Sequence, residues 1–239
     1  MSCDLLVIAP HPDDAEIHFG ATIAKHCRLG AQVVVADASR GEMGSRGDAA
    51  TRANEAMAAA TTLGLHARDN LDLPDGYLTA DHAARSRLIA CIRRWRPALV
   101  IGPDPQALHP DHRALARLVL DSMKAAELHR MPADGQTACR GQRLLCYEGE
   151  LPVLPQVVMA CEEDDLQRKL AAIRCYGSQL HKPGSSEPVT SISMSGFVTW
   201  IESRGRVWGH QVDSAYGEAL TAPLMPVRVD DLRHVSGRR

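Results

Sequence analysis

Two short segments of this chain carry residue types that do chemistry: His11-Pro12-Asp13-Asp14 and His109-Pro110-Asp111-His112. Imidazole and carboxylate donors without thiolate suit Zn²⁺ or a similar divalent ion. A catalytic zinc site keeps three protein ligands and leaves a position for water. His11, Asp13, Asp14, His109 and His112 are five candidates; three hold an ion and two remain for proton transfer and oxyanion stabilisation. That division suits metal-assisted amide hydrolysis. The ion lowers the pKa of water to roughly 7, and a free carboxylate takes the proton. A second imidazole meets the oxyanion, a contact whose loss commonly costs ~3 kcal/mol. Spacing alone leaves open which of His109 and His112 is a ligand, and which of Asp13 and Asp14. Asp111 reads equally as a carboxylate that orients an imidazole or as one favoured by a helix dipole. A lone His-Pro-Asp is more often an N-cap and turn; two of them at paired strand ends favour a metal.

The elements that must position these segments follow from apolar runs and turn residues. Leu5–Ala9 is a continuous apolar run stopped by Pro10, which predicts a strand buried on both faces. A helical pattern continues through Ile17, Ile23 and Cys27 to Gly30, and Ala31–Ala36 is a second buried-type strand. A polar loop, Asp37–Asp48, precedes an alanine-rich helix over Ala49–Leu63, and a short run at Asn70–Leu73 precedes the turn Pro74-Asp75-Gly76. Helix over Asp81–Trp95, strand over Ala98–Ile101 and helix over His112–Leu128 complete the first half. In the second half Arg143–Tyr147 reads as a strand and Glu163–Tyr176 as a helix. Gly177–Ser195 is a Ser/Pro/Gly-rich loop expected to line the pocket or a subunit contact. The alternation predicts an α/β fold: a Rossmann-like, mostly parallel sheet with helices on both faces, one domain over residues 1–222 and a C-terminal tail over 223–239. Each His-Pro-Asp segment then follows a strand and opens a helix, at the carboxyl end of the sheet where ligands bind. Proline in the first helical turn is favourable there.

Composition narrows the function classes. With 239 residues and 45% apolar content the chain buries a sizeable core without needing a metal or disulfide to fold. A formal charge of −2 and dispersed Lys and Arg argue against nucleic acid. Seven cysteines with no C-x-x-C spacing read as reduced thiols of a soluble cytoplasmic protein. Leu5–Ala9 is too short for a signal peptide or membrane span.

Pro10-His11-Pro12-Asp13-Asp14-Ala15-Glu16 together with His109-Pro110-Asp111-His112-Arg113 resembles the LmbE-like (PIG-L) family of zinc-dependent de-N-acetylases, on the branch that acts on N-acetylglucosaminyl-malate in bacillithiol synthesis. Further echoes follow in order: Gly41-Glu42, Arg52, Leu73-Pro74-Asp75-Gly76, Tyr176-Gly177-Ser178-Gln179 and Ser214-Ala215-Tyr216-Gly217-Glu218. The resemblance implies that His11, Asp14 and His112 hold Zn²⁺ (Fe²⁺ being possible in the cell). It makes Asp13 the general base and gives His109 the oxyanion or the leaving amine. Arg52 would contact an acidic or sugar oxygen of the substrate. It also implies a homo-oligomer, often a hexamer, and a small amino-sugar conjugate as partner. Two positions depart from the bacillithiol branch: Leu108 where arginine is common, and Phe197 where tyrosine is common. An amidase of a larger thiol–sugar or natural-product conjugate is the rival enzyme, and a non-catalytic sugar- or metal-binding protein the rival from another class. A dinucleotide oxidoreductase is disfavoured, because acids and histidine follow the first strand where a glycine-rich turn is needed.

Overall fold

The computed structural model describes residues 1–223. In chain order the elements are β1 (Leu5–Ala9), α1 (Asp14–Arg28), β2 (Val33–Asp37), α2 (Ala49–Leu63), β3 (Ala67–Asn70), α3 (His82–Trp95), β4 (Leu99–Pro103), α4 (Pro110–Ala125), β5 (Arg143–Tyr147), β6 (Val157–Cys161), α5 (Glu163–Arg174), α6 (Phe197–His210) and β7 (Tyr216–Thr221). They form a seven-stranded sheet in the order β3-β2-β1-β4-β5-β7-β6. Strands β1 to β5 run parallel, while β7 is antiparallel to both β5 and β6. The expected α/β class with a mostly parallel sheet is what the chain adopts. The tail over 223–239 lies, beyond its first residue, outside the described residues.

Strand β1 shows why both faces are covered. Leu6 and Ile8 pack with Leu88, Ile92, Leu115 and Leu118 from α3 and α4, whereas Leu5, Val7 and Ala9 pack with Phe19, Ile23, Ala59 and Leu63 from α1 and α2. Alternate side chains point to opposite faces of a strand, so a run with no polar position requires a layer on each side. Full burial of one such aliphatic side chain contributes about 1.5–3 kcal/mol. From β1 the chain moves outward through β2 to β3, then returns to place β4 on the other side of β1. The loops leaving β1 and β4 therefore face each other across the crevice where strand order reverses, the place where open α/β sheets bind ligands. They carry the two His-Pro-Asp segments.

The structure corrects the reading in four places. The short strand is Ala67–Asn70, not Asn70–Leu73. Its residues are polar, but Arg68 is held by Asp37 at 2.7 Å and Glu16 at 2.5 Å, so tertiary ion pairing replaces an apolar pattern. Helix α4 starts at Pro110, two residues early, because His109 is its N-cap. β6 and β7 supply the antiparallel edge. Helix α6 was hidden by Gly205 and Gly209, residues unfavourable by about 1 kcal/mol each in a helix. Both are needed for packing: a Cβ on Gly205 would collide with the Tyr216 ring, and one on Gly209 would come within 2.7 Å of the Tyr216 backbone.

Candidate active site

The turn after β1 is strained. Asp13 has φ 116°, a conformation rare for any residue but glycine, and such strain costs about 1–3 kcal/mol. Asp13 sits at the N-cap of α1, yet its side chain makes no cap hydrogen bond. Its carboxylate turns instead to Arg52 of α2, Oδ2 lying 3.0 Å from Nη2, while Asp14 opens the helix. After β4, His109 caps α4 with its ring, Nδ1 accepting from the Asp111 N–H at 3.2 Å. Pro110 follows in the first turn, and this brings Asp111 and His112 onto the helix just inside the crevice.

One carboxylate oxygen lies between two imidazoles. Asp14 Oδ2 is 3.1 Å from His11 Nδ1 and 3.2 Å from His112 Nε2, and donor atoms of the three residues all lie within 4.8 Å of one another. The remaining nitrogens face other carboxylates. His11 Nε2 is 3.1 Å from Asp75 Oδ1 and 3.3 Å from Asp111 Oδ2, and His112 Nδ1 is 3.3 Å from Glu150 Oε1. These carboxylates are anchored in turn. Asp75 accepts from the Met43 N–H at 2.7 Å, and Asp111 accepts from the N–H groups of Gly76 at 2.7 Å and Leu78 at 3.2 Å. A carboxylate hydrogen-bonded behind an imidazole fixes a metal-binding histidine in tautomer and direction; His11 has one in Asp111, while His112 Nδ1 faces Glu150 without a hydrogen bond among the described residues.

A second trio, His11, His109 and Asp111, is also close enough to share an ion. Both Asp111 oxygens already accept backbone N–H groups, whereas in Asp14 only Oδ2 does, from the His11 N–H at 3.1 Å, so the first trio is the better donor set. Two imidazoles and one carboxylate on a buried floor fit a divalent cation of the zinc type. The charge balance agrees. Burial works against a charged His11, yet hydrogen bonds to Asp111, Asp14 and Asp75 hold its pKa well above the ordinary histidine value. Burial likewise opposes ionisation of Asp14, but His112 and His11 keep its carboxyl well below the usual range.

Asp13 differs from its neighbour. Burial pushes its carboxyl up to about 7, with Arg52 pulling the other way, and it belongs to neither candidate ligand trio. His109 is exposed at the mouth; desolvation of its ring and the charges of His11 and His112 hold its pKa below the ordinary value. Arg52 is buried, with Nη2 also donating to the Pro12 carbonyl. Its Nε has no acceptor among the described residues. Gly41, at φ 69°, leaves room for that guanidinium, which a Cβ there would strike. His11, Asp13, Asp14, His109, His112 and Arg52 all line one cavity of about 1080 Å³.

The sequence reading missed several residues of this cavity. His18, which belongs to neither His-Pro-Asp segment, is stacked on Tyr147 with centroids 5.7 Å apart and lies 3.7 Å from Asp14 Oδ1. Only its i,i+4 spacing from Asp14 could have flagged it. Asp75 was visible as part of a turn, and Glu150 carried no signal. The Gly177–Ser195 loop does line the cavity, through Gln179, His181 and residues 189–195. Ser178 donates through N and Oγ to Glu55, both at 2.7 Å, and Arg46 reaches Glu187 at 2.8 Å; these contacts tie the loop to α2 and to the turn before it.

The fold and site define a Rossmann-like α/β protein with a His-Asp-His cluster at its switch point. Residues 6–123 match the family model described as PIG-L, GlcNAc-PI de-N-acetylase, and the chain belongs to this PIG-L/LmbE-like family. Diacetylchitobiose deacetylase of Thermococcus kodakarensis is 34% identical over 134 residues, 52% of this chain and 50% of that protein. A 1D-myo-inositol 2-acetamido-2-deoxy-alpha-D-glucopyranoside deacetylase of Rhodococcus erythropolis is 29% identical over 260 residues, 94% of this chain and 81% of that protein. The crystal structure of a conserved protein from Thermus thermophilus superposes with a TM-score of 0.84 at 33% identity, covering 95% of this chain and 98% of that one. The chain spans about half the length of the diacetylchitobiose deacetylase it matches.

Proposed function

We propose that this protein is a metal-dependent de-N-acetylase of a GlcNAc-type conjugate. The observation that carries the reading is the division of labour around Asp14: three donors converge on one point, while Asp13, buried in the same cavity, stays outside the ligand set. His11, Asp14 and His112 would hold the ion, with zinc favoured by the donor types and Fe²⁺ also accepted by them. When bound, such an ion supplies Lewis acidity and a water of lowered pKa.

The chain's own residues do the rest. Asp13 accepts the proton as water oxygen adds to the amide carbonyl carbon, and Arg52 holds that carboxylate in line. His109 donates to the oxygen that becomes negative, worth about a hundredfold or more in rate. As the C–N bond breaks, the proton passes to the leaving amine, from Asp13 or from His109. Acetate and a free amine leave. Arg52, buried against Asp13 and the Pro12 carbonyl, acts on the substrate through the carboxylate it holds. A homo-oligomer, and the reducing cytoplasmic setting suggested by seven free cysteines, belong to the same proposal.

Amine release from N-acetylglucosamine and from N-acetylglucosaminyl-malate, before and after chelation and zinc repletion, tests it. The reading expects release that chelation stops and zinc restores. Release unaffected by chelation would overturn the metal assignment, and none from amino sugars at any loading would leave the binding-protein reading in its place.

A further inference from the structure

We propose that the cavity wall built by residues 189–200 is a subsite for an apolar aglycone, so that the preferred substrate is an N-acetyl amino sugar carrying an aliphatic or aromatic group. The proposal rests on the deacetylase reading and specifies its substrate class.

Val189, Ile192, Met194, Phe197 and Trp200 line the same cavity as the donor cluster, with Met43 joining them from the loop after β2. Several remain open to solvent: Val189 is 80% exposed, Met43 63%, Met194 61% and Trp200 44%. Apolar side chains gathered in a pocket beside a few directed polar groups are the usual composition of a small-molecule site, and their exposure marks a surface awaiting a ligand.

Charge disfavours the acidic alternative. Asp13, Asp14, Asp75 and Glu150 all face this cavity. Among the described residues lining it, Arg52 is the only arginine or lysine, and it is already engaged by Asp13 and the Pro12 carbonyl. Glu150 guards the His109 side, accepting from the N–H groups of Leu108 at 3.1 Å and His109 at 3.4 Å. Leu108 itself is 62% exposed and uncharged, and the Arg113 guanidinium beside it is turned onto the Ala107 and Leu108 carbonyls. Arg204, stacked on Trp200 with Cζ 4.5 Å from the ring centroid, is engaged by the Gly149 carbonyl and Glu148, so a malate carboxylate would meet Glu150 without an unengaged guanidinium fork, an arrangement that selects against acids. Phe197 offers a ring without a hydroxyl to the same space. A second copy of this chain is the other conceivable occupant, but the apolar side chains share one cavity with the catalytic cluster, which favours a substrate tail.

The test pairs binding with turnover. Calorimetry on zinc-loaded protein compares octyl glucosaminide with glucosaminyl-malate, and amine release compares the corresponding N-acetyl compounds. We expect at least tenfold tighter binding and higher kcat/KM for the octyl compounds, with the preference cut about tenfold in Trp200→Ala/Met194→Ala, a factor equal to about 1.4 kcal/mol. Equal or better handling of the malate compounds overturns the inference while leaving the deacetylase standing. Amine release from neither compound overturns the deacetylase reading and this one with it. A change in solution mass of the double variant, with unchanged selectivity, assigns the patch to a second copy and overturns the proposal.

Discussion

Buried charges are handled differently at the antiparallel edge of the sheet and at the crevice between β1 and β4. Beside β6 and β7, Lys169 and Glu218 meet at 2.6 Å, and Glu218 also accepts the N–H groups of Ala21 at 3.1 Å and Thr22 at 2.8 Å. Charge is matched, and the pair joins α5 and β7 to α1. Beside β1 and β4, acids and imidazoles crowd one another: Asp13, Asp14, Asp75, Asp111 and Glu150 surround His11 and His112, with Arg52 the nearby cation. Asp13 is strained there. Matched burial serves the fold, whereas a crowd of acids around two imidazoles serves a ligand that brings positive charge. The contrast predicts that substitutions at the crevice remove function with little loss of stability, and that substitutions at the antiparallel edge do the reverse.

The largest effect is expected at Asp14. Asp14→Ala should abolish zinc binding, read as metal per chain by atomic absorption, and reduce amine release by more than about a thousandfold, while the apo protein melts near the wild-type temperature. A sharp fall in apo Tm would place Asp14 with the structural charges and break the contrast. Next comes Lys169→Met, which leaves Glu218 buried without its cation and should destabilise the protein by about 3–5 kcal/mol, measured by urea titration. A variant that instead lost activity at unchanged stability would give Lys169 a role in the site. Smallest are Asp75→Asn and Asp111→Asn, which loosen His11 without removing a ligand; zinc affinity should fall about 10–100-fold, by competition with a chelator. No change in affinity would show that the two carboxylates serve the turn and not the imidazole.

The same contrast explains what was legible in the sequence. The parallel half announces itself locally: Leu5–Ala9 is apolar at every position, and each His-Pro-Asp sits where a strand must end and a helix begin, so ligand, base and oxyanion candidates were all named. Asp111, readable in two ways, does both things, opening α4 and holding His11. What stayed hidden depends on distant partners. β3 is polar because Arg68 is neutralised by residues far along the chain. Helix α6 carries glycines because Tyr216 must approach it closely. Glu150 and His18 join the site only through the packing of β5 and α1 around it. Arg52 was expected to reach substrate; its contacts instead put it on Asp13 first, a pairing that no sequence separation of this size encodes.

The central claim is that Asp13 and Asp14, adjacent in the chain, do different work, one moving protons and the other holding the ion. The most direct test is Asp13→Asn, assayed in one preparation for zinc content and for amine release from an N-acetyl amino sugar. The account predicts one zinc per chain as in the unsubstituted protein, with release down by about 10²–10⁴-fold. Zinc lost together with activity would make Asp13 a ligand, and activity retained with zinc bound would remove it from the chemistry.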